Sequence, residues 1–414
     1  MILVIRGLSP IMGLFERLPA ELISLIIQNT ADFATVDNLL SVSRQARAVF
    51  RANSRAIIQD LILSNSITSQ PEIKKLVTGI AIIHHPSICC TSHYEYMQLA
   101  NGEGTLEYAL LLCQRNADLA CCILRIAAQI QRLACICLST LRQTFVTAVG
   151  TSPSRAQRAS EPFSYIEEYR AYWALWHLRC YSDLRKAADP TASASINSTE
   201  SASICQKWMW SREDIKKLDA YNDLSEIDKL RVENIWTVAV ILVELGARSW
   251  SPKDGESAVL EFASRTVWGR DRSILIPFFS SFGLAQSVEK DHRSRFWCPS
   301  HPPIGDPVTK AWKLTLPYCE EPPGQTTLFR SLQSRTFVGK PGPRFYSPMH
   351  DMLPYRRSGA LLWDSWRMYS TGLMRNMSRG RRPIPGGGFV ESDCGVGKGK
   401  HITPAWLEIA NMKQ

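Results

Sequence analysis

Residues 14–63 read LFERLPAELISLIIQNTADFATVDNLLSVSRQARAVFRANSRAIIQDLIL, and this stretch decides the fold. From Leu18 the apolar residues fall at Leu18, Leu22, Leu25 and Ile26, the i, i+4, i+7, i+8 stripe of an amphipathic helix. Pro19 suits the first turn, where a missing N–H costs nothing, and Glu21 favours the positive end of the helix dipole. This helix is expected to run to about Asn29. A polar break over 29–37 leads into Val36, Leu39, Leu40, Ala46, Val49 and Phe50, then Ile57, Ile58, Leu61 and Ile62. That pattern predicts two or three more short helices. Residues 1–11 carry neither helix periodicity nor a cap and are expected to be an unstructured extension, with Met12 opening the first locally consistent stretch.

Beyond this unit, Gln70 and Pro71 separate it from a second helical region. Residues 106–149 are apolar on nearly every side and belong inside a larger helical core. The polar, proline-bearing stretch 150–162 predicts a linker or long loop. An aromatic helix follows over 164–188, with Tyr165, Tyr169, Tyr172, Trp173, Trp176 and Leu178 mostly on one broad face. Residues 189–204, rich in Ser, Thr and Ala, bury too little surface to offset ordering entropy and are expected to be disordered. Helix resumes over 211–245. After Phe282 the chain changes character, since 11 of the 23 prolines lie between Pro299 and Pro354. A last helical stretch, 360–373, precedes a basic, glycine-rich tail. The fold class is mainly α. The domain map is an extension (1–11), a small helical unit (12–66), a helical domain (73–285) with its insert, a loop-rich Pro- and Trp-containing region packing on that domain (286–377), and the tail (378–414).

At 414 residues, 45% hydrophobic and 21% charged, the chain is neither collagen-like nor wholly disordered. The longest apolar tract, 119–138, is interrupted by Arg125, Gln129, Gln131 and Arg132, so no membrane span is expected. The apolar run at the start is too short for a signal peptide, and the 12 cysteines, many in apolar helical stretches, read as small buried hydrophobes. Both point to a reducing cytoplasm or nucleus. The net charge of +10 is concentrated near the end, where residues 335–414 hold 13 Lys and Arg against 5 Asp and Glu.

The chain has no GxSxG elbow, HExxH pair, calcium loop or kinase motif set, so no catalytic residues, no enzyme activity and no cofactor are expected. Gly395-Val396-Gly397-Lys398-Gly399-Lys400 lacks the Ser or Thr that a phosphate loop needs after its lysine. The densest ligand-like group is His84, His85, Cys89, Cys90 and His93. Adjacent pairs point in different directions and no Cys-x-x-Cys occurs anywhere, so a surface loop from Pro86 is expected rather than a metal site. His177, on the aromatic helix, is expected to be partly buried and bonded to backbone. The tryptophans are assigned to core packing. The basic tail lacks interleaved aromatics for base stacking, so no nucleic-acid partner is expected.

The stretch 14–63 resembles the F-box module in the form common among fungal proteins. The likeness rests on Leu18-Pro19 followed by Glu21-Leu22-Ile23, the pair Leu25 and Ile26, Asp37-x-Leu39-Leu40, the Ser43-Arg44 step, and Val49-Phe50-Arg51-Ala52-Asn53 leading into Ile57 and Ile58. Leu361-Leu362-Trp363-Asp364 is similar to a Phe-Trp-Asp signature in the tails of such proteins. The resemblance implies a three-helix F-box-like unit and an adaptor. It would dock the Skp-type linker subunit of a cullin-type ubiquitin ligase and present an unknown protein substrate with the rest of the chain. Leu18, Pro19, Leu22, Ile23, Leu39, Leu40 and Val42 match positions used for docking or for holding the docking helices. The C-terminal half has no leucine-rich, WD-type or kelch repeat to serve as a substrate reader. A fungal interaction scaffold with an F-box-like fold and no ligase role is the alternative.

Overall fold

A computed structural model of the protein describes residues 16–30, 32–102, 104–149, 153–188, 208–219 and 226–249, together with 356–359, 362–363, 367, 371, 381–383 and 389–391. The described part is mainly α. The extension 1–11 and the insert 189–204 lie outside the described residues, as do most of the proline-rich region and most of the tail.

Twelve helices are described, α1 (Ala20–Gln28), α2 (Phe33–Val42), α3 (Arg44–Ala52), α4 (Ser54–Ser64), α5 (Pro71–His84), α6 (His93–Asn101), α7 (Thr105–Arg115), α8 (Ala117–Val149), α9 (Pro153–Ala159), α10 (Tyr165–Ala188), α11 (Arg212–Asp219) and α12 (Glu226–Ser249). A two-stranded antiparallel ribbon, β1 (Arg381–Pro383) against β2 (Phe389–Glu391), pairs Arg382 with Val390 inside the basic, glycine-rich tail. Among the described residues there are two compact units, one of residues 16–136 and 172–219, the other of 137–171, 226–249 and the positions from 356 onward.

Local chemistry sets the breaks. Residues 20–64 form four helices, the larger of the two counts that the apolar pattern allows and one more than the resemblance implies, because two polar residues interrupt the chain. Ser43 is extended, and its hydroxyl accepts from the Ala46 N–H, so it ends α2 while capping α3. Asn53 leaves helical geometry between α3 and α4. Asp32 caps α2 by accepting from the N–H groups of Ala34 and Thr35. Asn116 does the same for α8, accepting from Asp118 and Leu119, and so divides the apolar run 106–149 into α7 and α8. The stretch expected to be a loop, 150–162, holds the short helix α9. Its Pro153 stands at the first helical position, where proline starts a helix rather than breaking one.

In the first unit, α1 packs on α3 and α4, α2 on α3, and α4 on α7. Helix α5 packs on α6 and α7. Gly79, in the middle of α5, costs helix propensity but admits Tyr96, whose hydroxyl lies 3.3 Å from Cys180 Sγ. Trp208 and Trp210 stack on each other, and their indole N–H groups donate to the carbonyls of Ile88 (3.2 Å) and Cys90 (2.8 Å). They clamp the segment that joins α5 to α6. Met209 between them has φ 53°, a left-handed conformation that costs a non-glycine residue about 1 kcal/mol or more.

Helix α8 is long and apolar enough to cross a membrane by length and composition, yet most of its apolar window is buried inside the protein. Its polar residues serve packing. Gln131 accepts from the Ala34 N–H (3.0 Å), and Arg132 donates to Asp37 and Asn38, both at 2.9 Å.

The second unit centres on Trp363. Its indole N–H donates to the Ser358 carbonyl at 2.8 Å, and Phe145 and Phe163 lie against its ring. Arg170 donates to the carbonyls of Leu362 (3.1 Å) and Trp363 (2.8 Å). Arg367 forks onto Glu167 at 2.7 and 2.9 Å, and Arg356 onto Glu233 with two bonds of 2.9 Å. All three arginines are buried. The two-pronged pairing of Arg356 and Arg367 with carboxylates, and the carbonyl acceptors of Arg170 Nη1, are what make the buried guanidinium groups tolerable.

Candidate protein-docking face

Helix α1 carries five apolar residues in six positions, Leu22, Ile23, Leu25, Ile26 and Ile27, and one side of a helix cannot hide them all. Ile23 and Ile27, four apart, are fully buried, whereas Leu22, Leu25 and Ile26 are 46%, 54% and 39% exposed. The stripe that periodicity singles out is therefore the outward one. A soluble helix ordinarily turns its polar side to water, so three adjacent aliphatic side chains at i, i+3 and i+4 leave apolar area uncovered.

The chain ahead of α1 is pinned. Glu16 accepts from the Arg44 N–H at 2.9 Å and from the Ser43 hydroxyl at 3.3 Å, and the Leu18 carbonyl accepts from the Gln45 side chain at 2.6 Å. These bonds bring residues 16–18 beside the junction of α2 and α3. Val42, 45% exposed, stands at the end of α2 next to that junction.

The seven expected site residues divide by role. Leu22, Val42 and Pro19 are exposed, Leu18 and Leu39 are half-buried, and Ile23 and Leu40 are buried. Ile23 and Leu40 are buried, as are Ile27, Phe33, Val36, Val49 and Phe50 on the same packed helices, so they offer a partner nothing without rearrangement. Leu25 and Ile26 carry part of the outward face though they stand outside the seven. The signal was present in the i, i+3, i+4 spacing from Leu22.

The base beneath this face is firm. Arg51 pairs with Asp118 at 2.9 Å, Arg55 bonds Glu107 and Gln114, and the Ser54 hydroxyl donates to the Cys113 carbonyl. Together with Gln131 and Arg132, these tie α2, α3 and α4 to α7 and α8.

The histidines and cysteines that stand close in sequence go separate ways. His84 ends α5 and turns inward to Asp183, Cys89 is exposed, Cys90 is buried, and His93 stacks edge-on against Trp210. Among the described residues no three His, Cys, Asp or Glu side chains converge in a way that would hold a metal ion. His177 is half-buried, stacked on Trp173 at 5.1 Å.

Comparison with protein families, with curated proteins and with solved structures returns no match to this chain.

Proposed function

We propose that the protein is an F-box-type adaptor of the cytoplasm or nucleus, whose N-terminal helices dock a Skp-type linker subunit of a cullin-type ubiquitin ligase. The rest of the chain would recruit a protein substrate. The observation that carries the proposal is the uncovered apolar face of Leu22, Leu25 and Ile26, with Val42 at the adjoining helix junction, set on helices whose other side is fully packed. Four surface aliphatic residues are expensive in water and cheap against a partner, at about 25 cal/mol per Å² of apolar area covered. The face also falls within the residues that carry the F-box resemblance. Pinning of residues 16–18 to the α2–α3 junction supports a preformed surface, which spares a partner the cost of ordering it.

The test is a calorimetric titration of a purified Skp-type linker subunit into the full-length protein. Binding at micromolar concentration or tighter is expected. No heat and no co-elution at tens of micromolar removes the ligase reading and leaves the face to another protein partner, as in a scaffold.

A further inference from the structure

We propose that Cys122 is held as a reactive thiolate by His84 and Asp183 and is a site of oxidation by small hydroperoxides. The three residues come from three helices, Cys122 from α8, His84 from the end of α5 and Asp183 from α10. The imidazole stands between the other two side chains. Its Nε2 is 2.8 Å from Asp183 Oδ2 and its Nδ1 is 3.6 Å from Cys122 Sγ. Arg179 Nε donates to the same Asp183 oxygen at 2.5 Å. With Nε2–H committed to a carboxylate, the neutral ring offers Nδ1 to the Cys122 S–H as an acceptor, and transfer of that proton leaves imidazolium donating to thiolate, the ion pair that the Asp183 charge favours.

Charge reinforces the geometry. Burial alone would lower the basicity of His84, but the Asp183 carboxylate outweighs it and pushes the imidazole up to about 9. Burial alone would raise Asp183, but Arg179 and then His84 hold the carboxyl well below its usual range. Burial alone would raise Cys122 as well, and the His84 hydrogen bond and charge, with Arg179 behind them, bring the thiol below its ordinary value against the opposing Asp183 charge. The other titratable groups facing the cluster are Cys113 on α7, Tyr96 on α6, and Cys180 and Lys186 on α10. Burial pushes the thiols of Cys113 and Cys180 up to about 12. Those two are buried, whereas Cys122 is only partly so. Arg179, Asp183 and His84 would be complete as a packing network, and a nucleophile on the free side of the ring is what such a network does not require.

The step balances. The Cys122 sulfur attacks the terminal, hydroxyl-bearing oxygen of the hydroperoxide, an S–O bond forms, the O–O bond breaks, and the electron pair leaves on the second oxygen. The proton on His84 Nδ1 neutralises that oxygen as water or an alcohol. Sulfur is oxidised by two electrons to a sulfenic acid, and the peroxide is reduced by two.

The experiment uses the full-length protein. Alkylation of Cys122 by iodoacetamide is followed by peptide mapping at pH 8.5 and pH 6.5, in the folded protein and in urea. An unperturbed thiol with a pKa of about 8.5 slows roughly fiftyfold over that interval. The denatured chain should show this fall, and folded Cys122 should slow by a clearly smaller factor, because its thiol lies below its ordinary value. Brief hydrogen peroxide treatment with a dimedone trap should then place the sulfenic adduct on Cys122 ahead of the other cysteines. His84→Gln should restore the steep pH dependence, and because that variant can misfold, the wild-type ratio decides. A folded-state fall equal to the denatured one, absence of alkylation at Cys122, or a dimedone adduct confined to other cysteines overturns the proposal.

Discussion

The N-terminal helices and the second unit treat water in opposite ways. The first region leaves Leu22, Leu25, Ile26 and Val42 at its surface, while the second takes Arg170, Arg356 and Arg367 inside and gives each of them acceptors. Folding alone favours neither choice. Charged groups kept inside need well-aligned partners, and Arg170 fixes where the Leu362 and Trp363 carbonyls lie. Aliphatic side chains kept outside gain nothing until something covers them. The described residues of the second unit give their buried charges internal acceptors, whereas the N-terminal helices leave an apolar face uncovered, and the proposed docking rests on that difference.

The sharpest way to break this contrast is at Trp363. Truncating a fully buried tryptophan costs about 3–5 kcal/mol, so Trp363→Ala should lower the urea midpoint of the transition that reports the second unit by a corresponding amount. A loss under about 1 kcal/mol would mean that the unit does not close around this ring.

A smaller effect is expected from pH in the first unit. Asp183 makes the folded chain bind the His84 proton more tightly than the unfolded chain does, raising the imidazole from 6.5 to about 9. The stability it brings is therefore fully present below about pH 6.5 and fades as pH rises towards 9, by an amount of order 1–3 kcal/mol. Ionisation of Cys122 works in the opposite sense, so the loss is best read from urea midpoints of Cys122→Ser between pH 6 and 9, where the larger Asp183 contribution to His84 remains and the smaller one of Cys122 is gone. A flat profile would show that His84 is not held as imidazolium.

Smaller still is Gly359→Ala. Gly359 has φ +67°, and a β-carbon there would meet Leu141 at 3.1 Å and Trp363 at 3.2 Å. Left-handed backbone costs a residue with a side chain about 1–2 kcal/mol, and the thermal midpoint should fall accordingly. An unchanged midpoint would show that the turn before Trp363 can give way.

Much of the helical architecture is legible in the sequence, and the gaps have physical causes. The aromatic helix 164–188 appears as Tyr165–Ala188 because its pattern is continuous and long. Residues 153–159 read as loop when Pro153 is counted as a breaker, and as helix once the first-turn position of proline is recognised. The stripe Leu18, Leu22, Leu25, Ile26 is visible by spacing, but spacing cannot say that Ile23 and Ile27 face inward instead. That choice is made by α3 and α4, tens of residues away. His84 carries no local sign of Asp183, its partner 99 positions later. Likewise Arg170 and Arg367 look like ordinary surface charges until the chain folds Leu362 and Glu167 against them. Contacts between distant segments leave no periodic trace.

The most direct test of the central claim is binding and stability measured together on one surface variant, Leu22→Ala with Leu25→Ala. Both side chains are exposed, so the thermal midpoint should move little, within about 0.5 kcal/mol of wild type. Covered leucines at an interface are worth about 1–2 kcal/mol each, so affinity for the Skp-type linker subunit should drop roughly thirtyfold or more by calorimetry. Stable protein with weakened binding is the predicted result. Undiminished binding, or a variant that unfolds while residual folded protein binds normally, would contradict the account and return these leucines to the protein's own packing.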